Sequence, residues 1–289
     1  MDFSPYEAAL RRIVWELRPY LNELVIVGGW VPYLYKRYGG FASWMTSTSL
    51  TAEVDVLVDR PLLPAGRPSI PEILRKAGFR PAVEEGGLAV WERDVRSGEK
   101  IEFLVPHQGA SRQEGAVVPV TAQNGMGAIP LGGLDFMRRF RRRLAIPAAT
   151  PAGGVSLEIW VPTLGAYVVN KSSTFARRQA RQGGANPKRA KDLLYLRDLM
   201  AAGAEVVGRI ESDLAEMVQA RETRKLARDR IRHASNTLGL ALGGAFQPLL
   251  PEVARALKER EPGFTDGAAL ADIRGHLADM LEILEGFAG

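Results

Sequence analysis

The sequence predicts an α+β protein: a small mixed-sheet core over residues 1–150, followed by a helical domain over 151–289. Short runs with strand-like alternation are confined to the first half, where Val54, Val56 and Val58 alternate with Glu53, Asp55 and Leu57. From residue 155 onward, after one last candidate strand, apolar residues recur at three- and four-residue spacing almost to the end. The length of 289 residues allows one large domain or two modest ones, and 46% hydrophobic with 25% charged residues is an ordinary globular composition.

The elements follow in order. Residues 5–18 read as an amphipathic helix opened by Ser4-Pro5. Leu24–Val27 is a short buried strand running straight into Gly28-Gly29, and Trp30–Tyr38 is a helix that tolerates Pro32 in its first turn. A Ser- and Thr-rich stretch, 43–49, precedes the strand Thr51–Asp59. A short helix is expected at 70–77, then strands at 88–95 and 100–105 joined by a turn at Arg96-Ser97-Gly98-Glu99. Residues 107–133 read as glycine-rich and irregular, with one strand near 116–120. A strand at 155–161 then leads to helices near 163–182, 187–201, 204–220, 222–240, 248–259 and 267–286, with Gly183-Gly184 as a stop and Asn186-Pro187 as a start.

Several function classes fall away on composition. With no cysteine there is neither a disulfide framework nor a thiolate metal site, which fits a reducing compartment. Three histidines, His107, His233 and His276, lack zinc-ligand spacing. The N-terminal twenty residues mix acids and bases and lack signal-peptide order, and no apolar run approaches the roughly 20 residues that span a bilayer. A cytoplasmic protein without a membrane partner is the expectation. The net charge of +5 is local: Arg138-Arg139-Phe140-Arg141-Arg142-Arg143 forms one basic run, and Arg177, Arg178, Arg181, Lys188, Arg189 and Lys191 form another. Such clusters suit a nucleotide triphosphate or a nucleic acid, or else a solvated face. The first run reads either as a path for a polynucleotide backbone with Phe140 for stacking, or as a domain-junction helix with exposed bases.

The chemistry concentrates in a few carboxylates. Alternation along a strand puts Thr51, Glu53 and Asp55 on one side, with Val54 and Val56 facing the other way. Adjacent carboxylates repel unless neutralised, and an all-oxygen cluster suits Mg²⁺ or Mn²⁺. Glu102, between Ile101 and Phe103, supplies a third acid on another strand. Upstream, a strand ending in Gly28-Gly29 and opening a helix is a backbone cradle for phosphate. Each feature also has a plain alternative: a solvated edge strand for the acids, any tight turn for the glycines. Trp30 and Trp44 read as core or loop anchors, and His107 as a satisfied loop histidine.

The order is the informative part. Strand, Gly28-Gly29, helix, loop, Thr51-Ala52-Glu53-Val54-Asp55, hairpin and the Glu102 strand together resemble the nucleotidyltransferase fold of the DNA polymerase beta superfamily. Within it the chain is most similar to the AbiEii-type and related toxin nucleotidyltransferases of bacterial abortive-infection and toxin–antitoxin systems, over roughly residues 22–200. Those proteins add a helix lysine and a Lys-Asp pair, to which Lys171 and Lys191-Asp192 correspond here. The first acid is Glu53 rather than the usual Asp, and the loop at 39–50 is longer than in compact members.

The resemblance implies metal-dependent transfer of a nucleoside monophosphate from an NTP, such as ATP, to an acceptor hydroxyl. Glu53, Asp55 and Glu102 would be metal ligands, Gly28, Gly29 and Thr51 would bind nucleotide, and Lys171 would reach its phosphates. Asp192 would orient Lys171 or the substrate; the plain alternatives are a solvent-facing Lys171 and a surface pair between Asp192 and Lys188. The implied acceptor is an RNA (a tRNA 3′ end) or a protein, and the implied partner a cognate antitoxin. Two rival readings remain: an antibiotic-type small-molecule nucleotidyltransferase, and a non-catalytic nucleotide- or nucleic-acid-binding protein.

Overall fold

The computed structural model describes residues 4–41, 44, 53–84, 87–93, 99–107, 116–147, 155–182, 187–246 and 249–289. Thr51, the turn residues 96–98, most of the 43–49 stretch and the Gly183-Gly184 stop lie outside them. The fold is α+β, and the chain divides into two compact units: Met1–Gly39 with Leu50–Pro162, and Gly40–Ser49 with Thr163–Gly289.

In the first unit, α1 (Ser4–Glu16) precedes β1 (Val25–Val27), α2 (Trp30–Tyr38), β2 (Glu53–Leu57) and α3 (Ile70–Lys76). Then come β3 (Arg80–Glu84), β4 (Gly87–Glu92), β5 (Lys100–Pro106), β6 (Val118–Pro119), β7 (Gly127–Leu131), α4 (Leu134–Arg139), β8 (Arg141–Pro147) and β9 (Ser156–Pro162). The strands run in the order β3-β4-β5-β2-β1-β9-β8, with β7 paired to β5 and to β6. β2 lies antiparallel to β1 and parallel to β5, so the sheet is mixed. Alternation gives it one apolar face: Ile26, Val54, Val56, Ile101, Phe103 and Ile159 are all buried. The short β2 keeps its place because it is hydrogen-bonded on both sides.

Three segments depart from the sequence reading. The glycine-rich stretch 107–133 contains two strands, β6 and β7, and β7 adds to the sheet beside β5. Pro130 in Gly-Ala-Ile-Pro-Leu hid β7, since proline lacks a donor and argues against a central strand. β3 was masked in the same way by Pro81. The basic run is not one helix: α4 stops at Arg139, and Arg141–Arg143 begin the strand β8, whose Leu144 and Ile146 carry the buried alternation.

α1 is tied to α2 by charge-assisted hydrogen bonds, in which Tyr33 and Tyr38 both donate their hydroxyls to the Glu7 carboxylate. Burial pushes the Glu7 pKa up, but the two tyrosine donors and the nearby Arg37 and Arg11 outweigh it, leaving it below 4.5. Burial and the same carboxylate push Tyr38 up to about 12. A lowered folded-state pKa means that the stabilisation is present in full above 4.5 and is lost as pH falls through the folded value. Acid titration of stability should therefore show a loss below pH 4.5 that Glu7→Gln removes, measured by urea unfolding at pH 3 to 6. An unchanged acid limb in Glu7→Gln would refute this.

The second unit is helical: α5 (Leu164–Gln182), α6 (Pro187–Met200), α7 (Ala204–Gln219), α8 (Arg224–Leu242), α9 (Leu249–Arg260) and α10 (Asp266–Ala288). α5 packs on α6, α7 and α8, and α10 packs on α6, α8 and α9. α5 and α7 come close at Gly165, where a Cβ would meet Asp213 Cβ at 2.9 Å and the Leu214 nitrogen at 3.2 Å. Gly165 N–H also donates to Asp213 Oδ2 at 3.2 Å, satisfying an otherwise orphaned amide in the first turn of α5. Fully buried Asp198 accepts two bonds from Arg260, at 2.5 and 2.6 Å, which joins α6 to α9. No helix among the described residues is long and apolar enough to cross a membrane.

Candidate active site

The site is set by strand register. Asp55 on β2 stands opposite Glu102 on β5 and opposite Val27 on β1, while Glu53 stands opposite Lys100. Residues opposite one another share a face, so Glu53, Asp55, Lys100 and Glu102 all project from the side away from the apolar face. Glu53, Asp55 and Glu102 each present a carboxylate oxygen, and these three oxygens lie within 4.8 Å of one another. All three residues are half-buried. Lys100, which the sequence reading passed over, forms an ion pair with Glu92 on β4; its alternation with Glu102 on β5 was the available signal.

Gly28 closes the site from behind. Its φ is +70°, in the left-handed region that favours glycine, and a Cβ there would stand 1.7 Å from Asp55 Oδ2. The turn after β1 therefore occupies the space beside the Asp55 carboxylate because Gly28 has no side chain. Gly29 caps α2 with φ −69° and ψ −14°, an ordinary right-handed conformation. Trp30, fully buried at the start of α2, donates its indole N–H to the Glu53 carbonyl at 3.0 Å. The strand–Gly–Gly–helix unit and the carboxylate strand are thereby fixed to each other. Trp44, like Trp30, is buried, while half-buried Phe140 packs edge-to-face on Phe136. His107 follows β5, its backbone N–H donating to the Leu131 carbonyl at 3.0 Å.

Three half-exposed carboxylates crowded this closely fit a hard divalent cation such as Mg²⁺ or Mn²⁺, which takes oxygen ligands and offsets their repulsion.

Lys171 and Asp192 meet in the helical unit. Lys171 Nζ lies 2.6 Å from Asp192 Oδ1, with only 8% and 3% of the side chains exposed. The ammonium also lies 5.5 Å and 5.2 Å from the ring centroids of Tyr167 and Tyr195. Thr174 Oγ1 donates to Asp192 Oδ2 at 3.4 Å. Lys171 is thus not solvent-facing, and Asp192 pairs across helices with Lys171. Removing one partner from so buried a pair leaves an uncompensated charge, so Lys171→Met should cost about 3–5 kcal/mol. Lys171→Met with Asp192→Leu should recover most of that loss in urea unfolding; a double variant no more stable than the single one would contradict the pairing.

A carboxylate cluster able to hold a divalent cation, on adjacent strands and backed by a strand–Gly–Gly–helix turn, is an arrangement suited to phosphoryl or nucleotidyl transfer. The sequence model described as "Nucleotidyltransferase" matches residues 8–220, and the chain belongs to that family. No curated protein and no solved structure matches the chain significantly.

Proposed function

We propose that this nucleotidyltransferase transfers a nucleoside monophosphate from an NTP to the 3′ hydroxyl of an RNA, as in tRNA, and acts as a toxin restrained by an antitoxin. The observation that carries the chemistry is the Glu53–Asp55–Glu102 cluster with Gly28 packed against Asp55. Glu53 and Asp55 would hold a divalent cation, and Glu102 would hold a second one or take the proton of the acceptor hydroxyl. When bound, such ions offset charge on the attacking and leaving oxygens. The acceptor oxygen forms its bond to the α-phosphorus as the bond to the β-phosphate bridge breaks, releasing pyrophosphate. The Gly28-Gly29 turn positions phosphates through backbone amides at the start of α2. Lys171 supplies positive charge to the leaving phosphates, and Asp192 holds its ammonium in place. The basic run at Arg138–Arg143 supports a polyanionic acceptor.

Incubation with Mg²⁺, α-labelled NTPs and total tRNA tests the reading, with label expected on RNA. Label appearing only on protein, or only on an added aminoglycoside, would transfer the assignment to those acceptors. NTP binding without any incorporation would favour a non-catalytic protein. Growth arrest on expression, relieved by Asp55→Asn, is the expected mark of a toxin.

A further inference from the structure

Asp55 faces the same side of the sheet as a second group of side chains. Asp55 stands opposite Val27, and Val25, two residues back on β1, stands opposite both Leu57 and Trp160 of β9. Trp160 in turn stands opposite Arg143 of β8, and Arg141 lies two residues along. Side chains two residues apart on a strand share a face. Arg141, Arg143 and Trp160 therefore project from the carboxylate face, on the sheet's edge. With strands roughly 4.8 Å apart and about 3.3 Å per residue, Trp160 is displaced from Asp55 by roughly 12 Å along that face.

The three side chains form one unit. The guanidinium carbons of Arg141 and Arg143 lie 4.6 and 4.7 Å from the Trp160 ring centroid, both within cation–π range. Arg143 is charge-balanced, pairing with Glu158 at 2.5 Å and donating to Asn22 Oδ1 at 3.3 Å. Arg141 is not: among the described residues no carboxylate pairs with it. Burial and the repulsion of Arg138 and Arg143 lower its pKa from the ordinary arginine value, so this half-buried cation carries an unfavourable field that an anion would relieve.

We propose that the Arg141–Trp160–Arg143 face, with exposed Arg139 beside it, docks the sugar–phosphate strand of a single-stranded RNA acceptor. The guanidiniums contact phosphates, and the indole with its stacked cations offers a platform to an unpaired base. In duplex RNA the bases are stacked and the major groove is too deep and narrow for side chains to read, so a stacking platform flanked by arginines suits an unpaired strand. The inference rests on the RNA-acceptor reading, and it adds the route by which the strand reaches the carboxylates.

The test is anisotropy of a labelled 20-nucleotide oligo(U) strand with the full-length protein, without NTP, across a salt series. Arg141→Gln with Arg143→Gln should weaken binding about tenfold or more at low salt. The slope of log K against log salt should become shallower by about 1.4, the value for two lost single-strand phosphate contacts. Arg141→Lys with Arg143→Lys should keep the slope, which separates charge from misfolding. Unchanged affinity and slope in the Gln variant would overturn the proposal, as would tighter binding to oligo(dT) or to anionic lipid vesicles. Arginine-dependent RNA binding without RNA labelling would thus overturn the acceptor reading alone, whereas RNA labelling with arginine-independent binding would overturn this surface alone.

Discussion

Replacing Asp55 by Asn is expected to abolish nucleotidyl transfer, by about a thousandfold or more, while leaving the fold intact. A thousandfold loss corresponds to roughly 4 kcal/mol of transition-state stabilisation. Asp55 stands at the centre of the cluster, beside Glu53 on β2 and opposite Glu102 on β5, so no other residue of β2 can take its place. The same change should not harm stability in the absence of metal, since it removes one of three crowded negative charges and keeps the side-chain shape. Two readouts therefore separate a metal ligand from a structural acid. Mg²⁺ should raise the wild-type melting temperature, by about 5 °C at a hundredfold excess over its dissociation constant, because it binds only the folded state. Asp55→Asn should show little of that rise and an equal or higher melting temperature without Mg²⁺. Retained incorporation of labelled NTP, or an undiminished Mg²⁺ shift, would refute the assignment of Asp55 as a ligand.

The core of the site was legible because its determinants are local. Period-two alternation alone places Glu53 and Asp55 on one face of β2, and Ile101 and Phe103 flanking Glu102 fix the face of β5 in the same way. What alternation cannot supply is pairing: that β5 lies beside β2 in register, with Glu102 opposite Asp55, follows from long-range contacts. The helices of the second unit were legible for a related reason, since their apolar stripes and the glycines and prolines between them are local signals. β3 and β7 were hidden by Pro81 and Pro130, tolerated where strand pairing does not use the missing donor. Lys171 and Asp192 were each visible on their own helices. Their 2.6 Å bond depends on how α5 and α6 pack, which no spacing within either helix encodes. For the basic run, the junction-helix alternative holds only as far as Arg139, because the strand state of Arg141–Pro147 rests on its long-range pairing with β9, which arginine's own helix preference does not reveal.

Gly28→Ala is expected to have an effect nearly as large as the loss of Asp55, for a reason that is geometric rather than chemical. At φ +70° an L-residue costs about 1–2 kcal/mol. The new methyl would also stand 1.7 Å from Asp55 Oδ2 and 2.7 Å from Asp55 Cγ, distances at which something must move. The Asp55 backbone cannot yield easily, since β2 is paired to β1 on one side and β5 on the other. The start of α2 is held by the bond from the Trp30 indole to the Glu53 carbonyl. The remaining freedom is rotation of the Asp55 carboxylate, which withdraws its oxygens from Glu53 and Glu102. Transfer should then fall by about a hundredfold or more, as for other angstrom-scale displacements at a reacting centre. Stability should drop by about 2–4 kcal/mol from the combined backbone and overpacking terms. Gly29→Ala is the internal comparison. Its right-handed backbone carries none of the φ penalty of Gly28, so Gly29→Ala should cost less stability than Gly28→Ala. A loss of activity in Gly29→Ala at unchanged stability would report the approach of a phosphate to the turn rather than strain. The Mg²⁺-induced melting shift completes the argument: it should shrink in Gly28→Ala and persist in Gly29→Ala. A Gly28→Ala protein with wild-type melting temperature and full labelling activity would show that the turn does not press on Asp55.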